Sequence, residues 1–140
     1  MKKFFKQIIA GILAGILVTV SAGALAYEYD DSSANVIEPY YVGATSAAAS
    51  LSISSGTATC KGTLALKSKY TASCTMVLQR RRSGGSWSAI KTWTSLSGST
   101  SKTCSISSGY DYRVRFYGNI YNSSGTKVDS FNKYSVIKSY

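Results

Sequence analysis

The sequence predicts an all-β fold, a sandwich of two antiparallel sheets built from about seven short strands. After residue 26, apolar and polar residues alternate with a period of two, and no stretch repeats apolar residues at helical spacing over three turns. Clusters rich in serine and glycine separate these stretches at distances typical of hairpins. Charged residues make up 16% of the chain and hydrophobic ones 44%, which excludes an acid-rich disordered chain and a long charged coiled coil.

The first three expected strands alternate cleanly. Residues 47–53 place alanine, leucine and isoleucine on one side and mostly serine on the other. Residues 57–66 alternate small and apolar residues with threonine and lysine. Residues 72–82 put cysteine, methionine and leucine inward, and Ser83-Gly84-Gly85 follows, where glycine supplies the positive φ of a tight hairpin. Arg80 to Arg82 are expected to form the solvated end of this hairpin.

The next two strands carry less apolar sequence. In the strand at 87–94, Ile90 lies on the opposite side from Trp87 and Trp93, so one apolar face of this strand must be exposed. The strand at 102–107 directs a cysteine and an isoleucine inward.

The last two expected strands differ in how regularly their inward and outward residues alternate. The strand at 110–121 is the longest and alternates tyrosine, valine, phenylalanine, glycine and isoleucine with arginine, tyrosine and asparagine. In the strand at 128–137, Phe131 and Tyr134 fall on opposite sides, so either both faces are partly covered or a bulge near Asn132 shifts the register.

The number and spacing of these strands favour an immunoglobulin-like or fibronectin-like sandwich, with a small closed barrel as the alternative. A tyrosine near the start of the penultimate strand supports the sandwich, because its hydroxyl can bond back to the preceding corner of the chain. Tyr112 is the expected residue.

Several short segments also resemble a known family. They are 51–56 (LSISSG), 78–81 (LQRR), 85–87 (GSW) with Trp93, and 112–114 (YRV). The chain is similar over roughly residues 40–137 to a family of short secreted β-sandwich proteins of unknown function from Gram-positive bacteria. This resemblance implies an exported single-domain protein and brings no catalytic residues.

The N-terminus has the pattern of a signal peptide. Lys2, Lys3 and Lys6 precede an apolar run at 8–20, and Ala24-Leu25-Ala26 supplies the small residues that a signal peptidase recognises. We expect cleavage after Ala26 and a secreted protein, with association to the cell wall and membrane contact through the leader alone. An uncleaved membrane anchor is the alternative, because apolar and small residues extend over nearly the roughly 20 residues that span a bilayer.

The charges are distributed unevenly along the chain. Its net charge is +10, and four of its six acidic residues lie within 28–38. We therefore expect a flexible acidic arm at 27–39 and a β-sandwich domain at 40–140. That domain contains 13 lysines and arginines but only Asp111 and Asp129 as acidic residues.

The three cysteines allow at most one internal disulfide. The second and fifth strands should be antiparallel neighbours, which favours a bond between Cys60 and Cys104 and leaves Cys74 as a buried thiol. The alternative is that all three are reduced and packed in the core, because disulfides between adjacent strands strain the preferred geometry.

The sequence does not indicate an enzyme. The chain has no histidine, so the commonest general base and the Ser-His and Cys-His pairs are absent. A glycosidase would have to draw its two carboxylates from Asp111 and Asp129. No cofactor or metal is expected, because three isolated cysteines without histidine do not form a zinc site.

The outer face of the strand at 110–121 is the first candidate binding surface. It presents Arg113, Arg115, Tyr117 and Tyr121. Its expected neighbours add Gln79 and Arg81 from the third strand and Lys133 or Tyr134 from the last. Guanidinium groups bind phosphate or carboxylate through paired hydrogen bonds, and tyrosine rings offer flat apolar faces. Alternatively, arginine and tyrosine simply keep a β face soluble.

The second candidate surface consists of Trp87 and Trp93. If Ile90 faces the core, both indole rings are exposed with Lys91 between them and form a platform for sugar rings. The alternative is that at least one ring covers the edge of the core while Ile90 is exposed, since large apolar patches on monomers are uncommon.

Together these features predict a secreted, basic binding or surface-associated module that contacts anionic cell-envelope polymers or glycans. A specific nucleic acid partner is not expected. The alternative is a small secreted bacteriocin-like or host-directed effector, for which cationic charge, small size and export are equally natural.

Overall fold

A computed structural model of the protein describes residues 40–140, which form eight β-strands. These are β1 (Ala44–Ser54), β2 (Thr57–Leu66), β3 (Thr71–Arg81), β4 (Ser88–Leu96), β5 (Thr100–Ser105), β6 (Asp111–Tyr121), β7 (Lys127–Tyr134) and β8 (Lys138–Ser139). The expected leader at 1–26 and acidic arm at 27–39 lie outside the described residues.

The strands form two antiparallel sheets. One sheet has the order β1-β2-β5, and the other has the order β4-β3-β6-β7, with β8 pairing beside β6. The predicted all-β sandwich is therefore confirmed, as are the pairing of β2 with β5 and the position of β6 between β3 and β7. The immunoglobulin-like or fibronectin-like type stays a prediction. Residues 40–140 contain no helix long and apolar enough to cross a membrane.

Inward-facing side chains of both sheets form the core. Its largest fully buried side chains are Tyr112, Phe116, Met76, Leu78, Ile120 and Val114. Phe116 on β6 packs against β2 at Gly62, where a Cβ atom would lie 2.6 Å from the phenylalanine ring. A Cβ atom at Gly118 would collide with the carbonyl oxygen of Ser73 on β3. Glycine at these two strand positions thus permits close packing.

Tyr112 forms the predicted corner. Its hydroxyl donates a hydrogen bond to the carbonyl oxygen of Ser107 and accepts one from the Ser107 N–H at 3.2 Å. The ring is fully buried. Because the two bonds satisfy both the backbone N–H and the backbone carbonyl of Ser107, Tyr112 fixes the chain where it turns from β5 into β6.

An irregularity in β4 resolves the ambiguous orientation of that strand. The register shifts between Leu78 and Gln79, whose partners on β4 are Lys91 and Ala89. The extra residue is Ile90, and both Ile90 and Trp93 pack against the core although simple alternation places them on opposite sides. The second alternative was right that one ring, Trp93, covers the edge of the core, but Ile90 packs there as well, because both alternatives assumed unbroken alternation.

The last predicted strand is divided into β7 and β8. Pairing with β6 is continuous from Tyr134 to Asp129, so there is no bulge near Asn132; Phe131 faces inward and Tyr134 outward. Both faces of β7 are therefore partly covered, which was the first of the two predicted alternatives.

Ser135 marks the end of the continuous pairing in β7. Its hydroxyl accepts a hydrogen bond from the N–H of Val114 at 2.8 Å, and its own N–H donates to the carbonyl oxygen of Val114 at 2.8 Å. A side-chain oxygen thus takes a place that a backbone carbonyl would hold in a regular ladder, and β8 resumes the pairing at Lys138.

The structure does not contain the predicted disulfide: Cys60, Cys74 and Cys104 are free thiols. Cys60 lies opposite Lys102, and Cys104 lies opposite Ala58, so the two cysteines are offset by two positions along paired strands. Diagonal neighbours in a sheet are farther apart than the Cα separation that a disulfide prefers. The alternative of three reduced cysteines describes the structure.

Candidate functional site

The outer face of the five-stranded sheet carries the predicted arginines and tyrosines. The inward positions of β6 are buried, so the alternate positions Arg113, Arg115, Tyr117 and Tyr121 lie on the outer face. Pairing places Arg81 opposite Asp111 and Tyr134 opposite Arg115 on the same face. The register thus brings most of the predicted residues together on one surface.

Guanidinium groups and aromatic rings alternate across this face in a row that we call the arginine ladder. Its members, in order, are Arg81, Trp87, Arg113, Tyr134, Arg115 and Tyr117.

The Trp87 ring has the Arg81 Cζ at 4.5 Å and the Arg113 Cζ at 4.3 Å from its centroid. The Arg113 Cζ also lies 4.4 Å from the centroid of Tyr134. The Arg115 Cζ lies 4.3 Å from the Tyr117 centroid and 5.9 Å from that of Tyr134. All of these distances lie within the range of cation–π attraction.

Side-chain amides orient the two central guanidinium groups. The Nε of Arg113 donates to Oε1 of Gln79 at 2.8 Å, and the Nε of Arg115 donates to Oδ1 of Asn132 at 2.8 Å. Neither arginine makes a hydrogen bond through its terminal Nη nitrogens to any residue between 40 and 140. Each guanidinium is thus held at one edge while its other donors are available to a ligand.

The acidic residues of the domain leave these two arginines without a carboxylate partner. Asp111 pairs with Arg81 at 3.4 Å and accepts a hydrogen bond from Ser139. The carboxylate of Asp129 instead accepts the backbone N–H groups of Val42 and Ser130. No other acidic residue lies between positions 40 and 140, so no side-chain carboxylate of this part of the chain neutralises the two central arginines of the ladder.

A buried valine shows that the ladder side chains cover the sheet surface. Val77 has an exposed fraction of only 7%, yet it is not part of the interior cluster. Its pairing partners are Arg115 on β6 and Thr92 on β4. Long arginine stems commonly bury their methylene groups against apolar residues in this way. The ladder is therefore a packed layer on the outside of the sheet.

The structure separates the two tryptophans. Trp87 belongs to the ladder, whereas Trp93 packs against the core together with Ile90. The predicted platform of two exposed indoles around Lys91 is therefore not formed, because the irregularity in β4 turns Trp93 inward.

Tyr121 lies at the far end of β6, opposite Thr71, and is not part of the ladder. Sequence reasoning missed Asn132 as an orienting residue and Trp87 as a partner of the arginines. Their roles depend on the cross-strand register and the course of the β3–β4 hairpin, which residue spacing does not reveal.

The outer face of the three-stranded sheet has a different composition. Its exposed strand positions are mostly serine and threonine, namely Ser50, Ser52, Thr57, Thr63, Ser101, Thr103 and Ser105. Within the described residues, Lys61 is the only cation that the register places on this face. The two sides of the sandwich therefore present different chemistry to solvent.

No group of three or more histidine, cysteine, aspartate or glutamate residues that could hold a metal ion exists within residues 40–140. Comparisons with protein-family models, with curated proteins and with solved structures gave no match.

Proposed function

We propose that this protein is a secreted, cationic binding module that attaches to anionic polymers of the cell envelope through its arginine ladder. The observation that carries the proposal is the concentration of arginine on one outer face of the sandwich, opposite a face of serine and threonine. Arginines that served only solubility would have no reason to gather on one sheet. The N-terminal sequence pattern supports export.

The geometry suits repeated, weak contacts with a charged chain. Arg113 and Arg115 are two residues apart on one strand, so their side chains project from the same face about 7 Å apart. Each offers Nη donors that can form paired hydrogen bonds with a phosphate or carboxylate group. A polymer that carries many such groups can contact several arginines at once, which raises the overall affinity without requiring any single strong contact.

The aromatic members of the ladder favour a polymer that contains sugars or other ring-shaped units. Tyr134 has an exposed fraction of 46%, and its ring lies near the guanidinium groups of both Arg113 and Arg115. A tyrosine in that position provides an apolar surface beside two anion-binding groups. Acidic polysaccharides and wall polymers with phosphate-linked sugars combine both properties.

The direct test measures binding of the domain to a purified anionic wall polymer at several salt concentrations. The double variant Arg113→Gln/Arg115→Gln removes two charges from the ladder. We expect its affinity to fall at least tenfold, since each charge-assisted hydrogen bond contributes roughly 1.5–3 kcal/mol. We also expect binding of the unmodified domain to weaken as salt is raised.

The matched control is Lys61→Gln, which removes one cation from the opposite face of the sandwich. Its binding is compared with that of the single variant Arg115→Gln, because each of the two variants lacks one positive charge. If Lys61→Gln and Arg115→Gln reduced binding equally, or if binding did not depend on salt, the ladder would not be the binding surface.

A further inference from the structure

A second cationic site lies at one end of the sandwich. The β3–β4 hairpin and the start of β6 border an open groove of about 470 Å³. Its walls include Arg80, Arg82, Ser86, Ser88, Ile90 and Tyr110. This volume lies within the usual range for small-molecule sites and exceeds what a single inorganic ion requires.

Two arginines surround one tyrosine ring in this groove. The Cζ of Arg80 lies 4.3 Å from the centroid of Tyr110, and the Cζ of Arg82 lies 5.2 Å from the same centroid. Nη2 of Arg82 is also 3.5 Å from the Tyr110 hydroxyl. Tyr110 in turn packs edge-on against the buried ring of Tyr112, with centroids 6.3 Å apart. Both guanidinium groups thus contact one ring, which itself packs against the buried core.

No acidic side chain between residues 40 and 140 neutralises the charge of Arg80 and Arg82 in the groove. Its walls contain no acidic residue within the described part of the chain. Arg81 also borders the groove, but its guanidinium lies over Trp87 and pairs with Asp111. Arg80 and Arg82 have no carboxylate partner among residues 40–140. Two positive charges without a carboxylate partner in one groove favour the binding of an anion there.

Hydroxyl groups and a tight turn complete the site. Ser86 and Ser88 supply hydroxyls that can donate to an oxyanion. Gly84 has a φ of 73°, which favours glycine, and the N–H of Gly85 donates to the carbonyl oxygen of Arg82 at 2.8 Å. This closed turn reverses the chain, so that the serines line the same groove as the arginines.

We propose that this groove binds a tetrahedral oxyanion, a phosphate or sulfate ester carried on a small polar molecule such as a monosaccharide. Guanidinium pairs and hydroxyl donors match the several acceptor oxygens of such a group. The remaining volume, beside Ile90 and the backbone of Gly85, accommodates the attached molecule. Apart from Arg81, whose guanidinium contacts Trp87 and Asp111, the site uses different side chains from the arginine ladder, so it does not depend on the envelope-binding function proposed above.

The test is a nuclear magnetic resonance titration of the 15N-labelled protein with glucose 6-phosphate, glucose 6-sulfate and glucose at constant ionic strength. We expect saturable shifts of the Gly85, Ser86 and Ser88 amides with one or both esters at low millimolar concentrations, and none with glucose. Binding of both esters shows recognition of tetrahedral oxyanions in general, and binding of the phosphate alone shows that the second negative charge is needed.

Two variants establish which side chains bind. Arg82 is exposed, so Arg82→Gln should leave the fold intact and weaken binding at least tenfold. Arg80→Gln should do the same, and a dispersed amide spectrum shows whether that variant is folded. Lys61→Gln removes an equal charge on the opposite sheet, outside both the groove and the arginine ladder, and should leave the affinity unchanged. The proposal is overturned if no saturable shifts occur, if Arg82→Gln binds as the parent does, or if Lys61→Gln weakens binding equally.

Discussion

Replacement of Arg113 by alanine tests whether the arginine ladder stabilises the domain. The side chain makes close cation–π contacts with Trp87 and Tyr134, and its Nε donates to Gln79 at 2.8 Å. Two such contacts on a partly exposed surface contribute about 1–2 kcal/mol, and the hydrogen bond contributes about 1 kcal/mol. Removing a charge also relieves repulsion from Arg115, which offsets about 1 kcal/mol of this loss. We therefore expect a net loss of about 1–2 kcal/mol in the free energy of unfolding.

The neighbouring arginine gives an internal comparison. Arg115 has one close ring partner, Tyr117, and a second ring, Tyr134, at 5.9 Å, near the limit of the interaction. It donates to Asn132 as Arg113 donates to Gln79. Arg115→Ala should therefore lower the free energy of unfolding by less than Arg113→Ala does, by about 0.5–1 kcal/mol.

Urea unfolding followed by tryptophan fluorescence measures these differences. The midpoint should fall in the order parent, Arg115→Ala, Arg113→Ala, with an unchanged dependence of the unfolding free energy on urea concentration. Lys61→Ala, on the opposite face, should stay within about 0.5 kcal/mol of the parent. If Arg113→Ala proved as stable as Lys61→Ala, the ladder would not contribute to stability, and the attribution of free energy to its contacts would be wrong.

Three further predictions concern the interior. Tyr112→Phe should lower the free energy of unfolding by about 1–3 kcal/mol, measured by urea unfolding, because both backbone groups of Ser107 lose their partner. Iodoacetamide followed by mass spectrometry should label Cys104 in the native protein and label Cys60 and Cys74 only after unfolding, because only Cys104 is partly exposed. Stability should also fall as the pH rises from about 9. Desolvation, with a smaller contribution from Cys104, raises the pKa of Cys60 to about 12, and desolvation raises the pKa of Cys74 to about 11. Over that range the unfolded thiols ionise before the folded ones, so the unfolded state binds fewer protons and is favoured. As the pH rises from 8 to 11, the urea midpoint of the double variant Cys60→Ala/Cys74→Ala should fall less steeply than that of the parent protein.

Sequence alternation was sufficient to predict the sheets and the position of the ladder. The second strand was expected at 57–66 and is found there as β2. The outward positions of β6 were also predicted correctly, because four large or branched residues and one glycine alternate with arginine, tyrosine and asparagine along one uninterrupted strand. Where one face of a strand is buried, a shift of one residue would expose that whole apolar set, so the pattern specifies the orientation of the strand strongly.

The features that sequence could not predict depend on contacts between strands. The extra residue Ile90 in β4 adds one position to the alternation, and no local pattern distinguishes such an irregularity from an exposed apolar residue. The offset of Cys60 from Cys104 depends on the register of β2 with β5, and the end of β7 depends on a hydroxyl of Ser135 that bonds to another strand. In each case the deciding partner is distant in the sequence.

The packing of the ladder prepares it for binding as well as for stability. A free arginine on a β face loses much of its rotamer entropy when a ligand fixes it. In this domain Arg113 lies between two rings, and its Nε is bound by Gln79, so folding has already restricted the side chain. The hydrogen-bonding groups that remain are the Nη donors, which are also the groups that an oxyanion requires. Because the interactions that order the guanidinium groups leave these donors available, the contribution of the ladder to stability is compatible with a role in recognition.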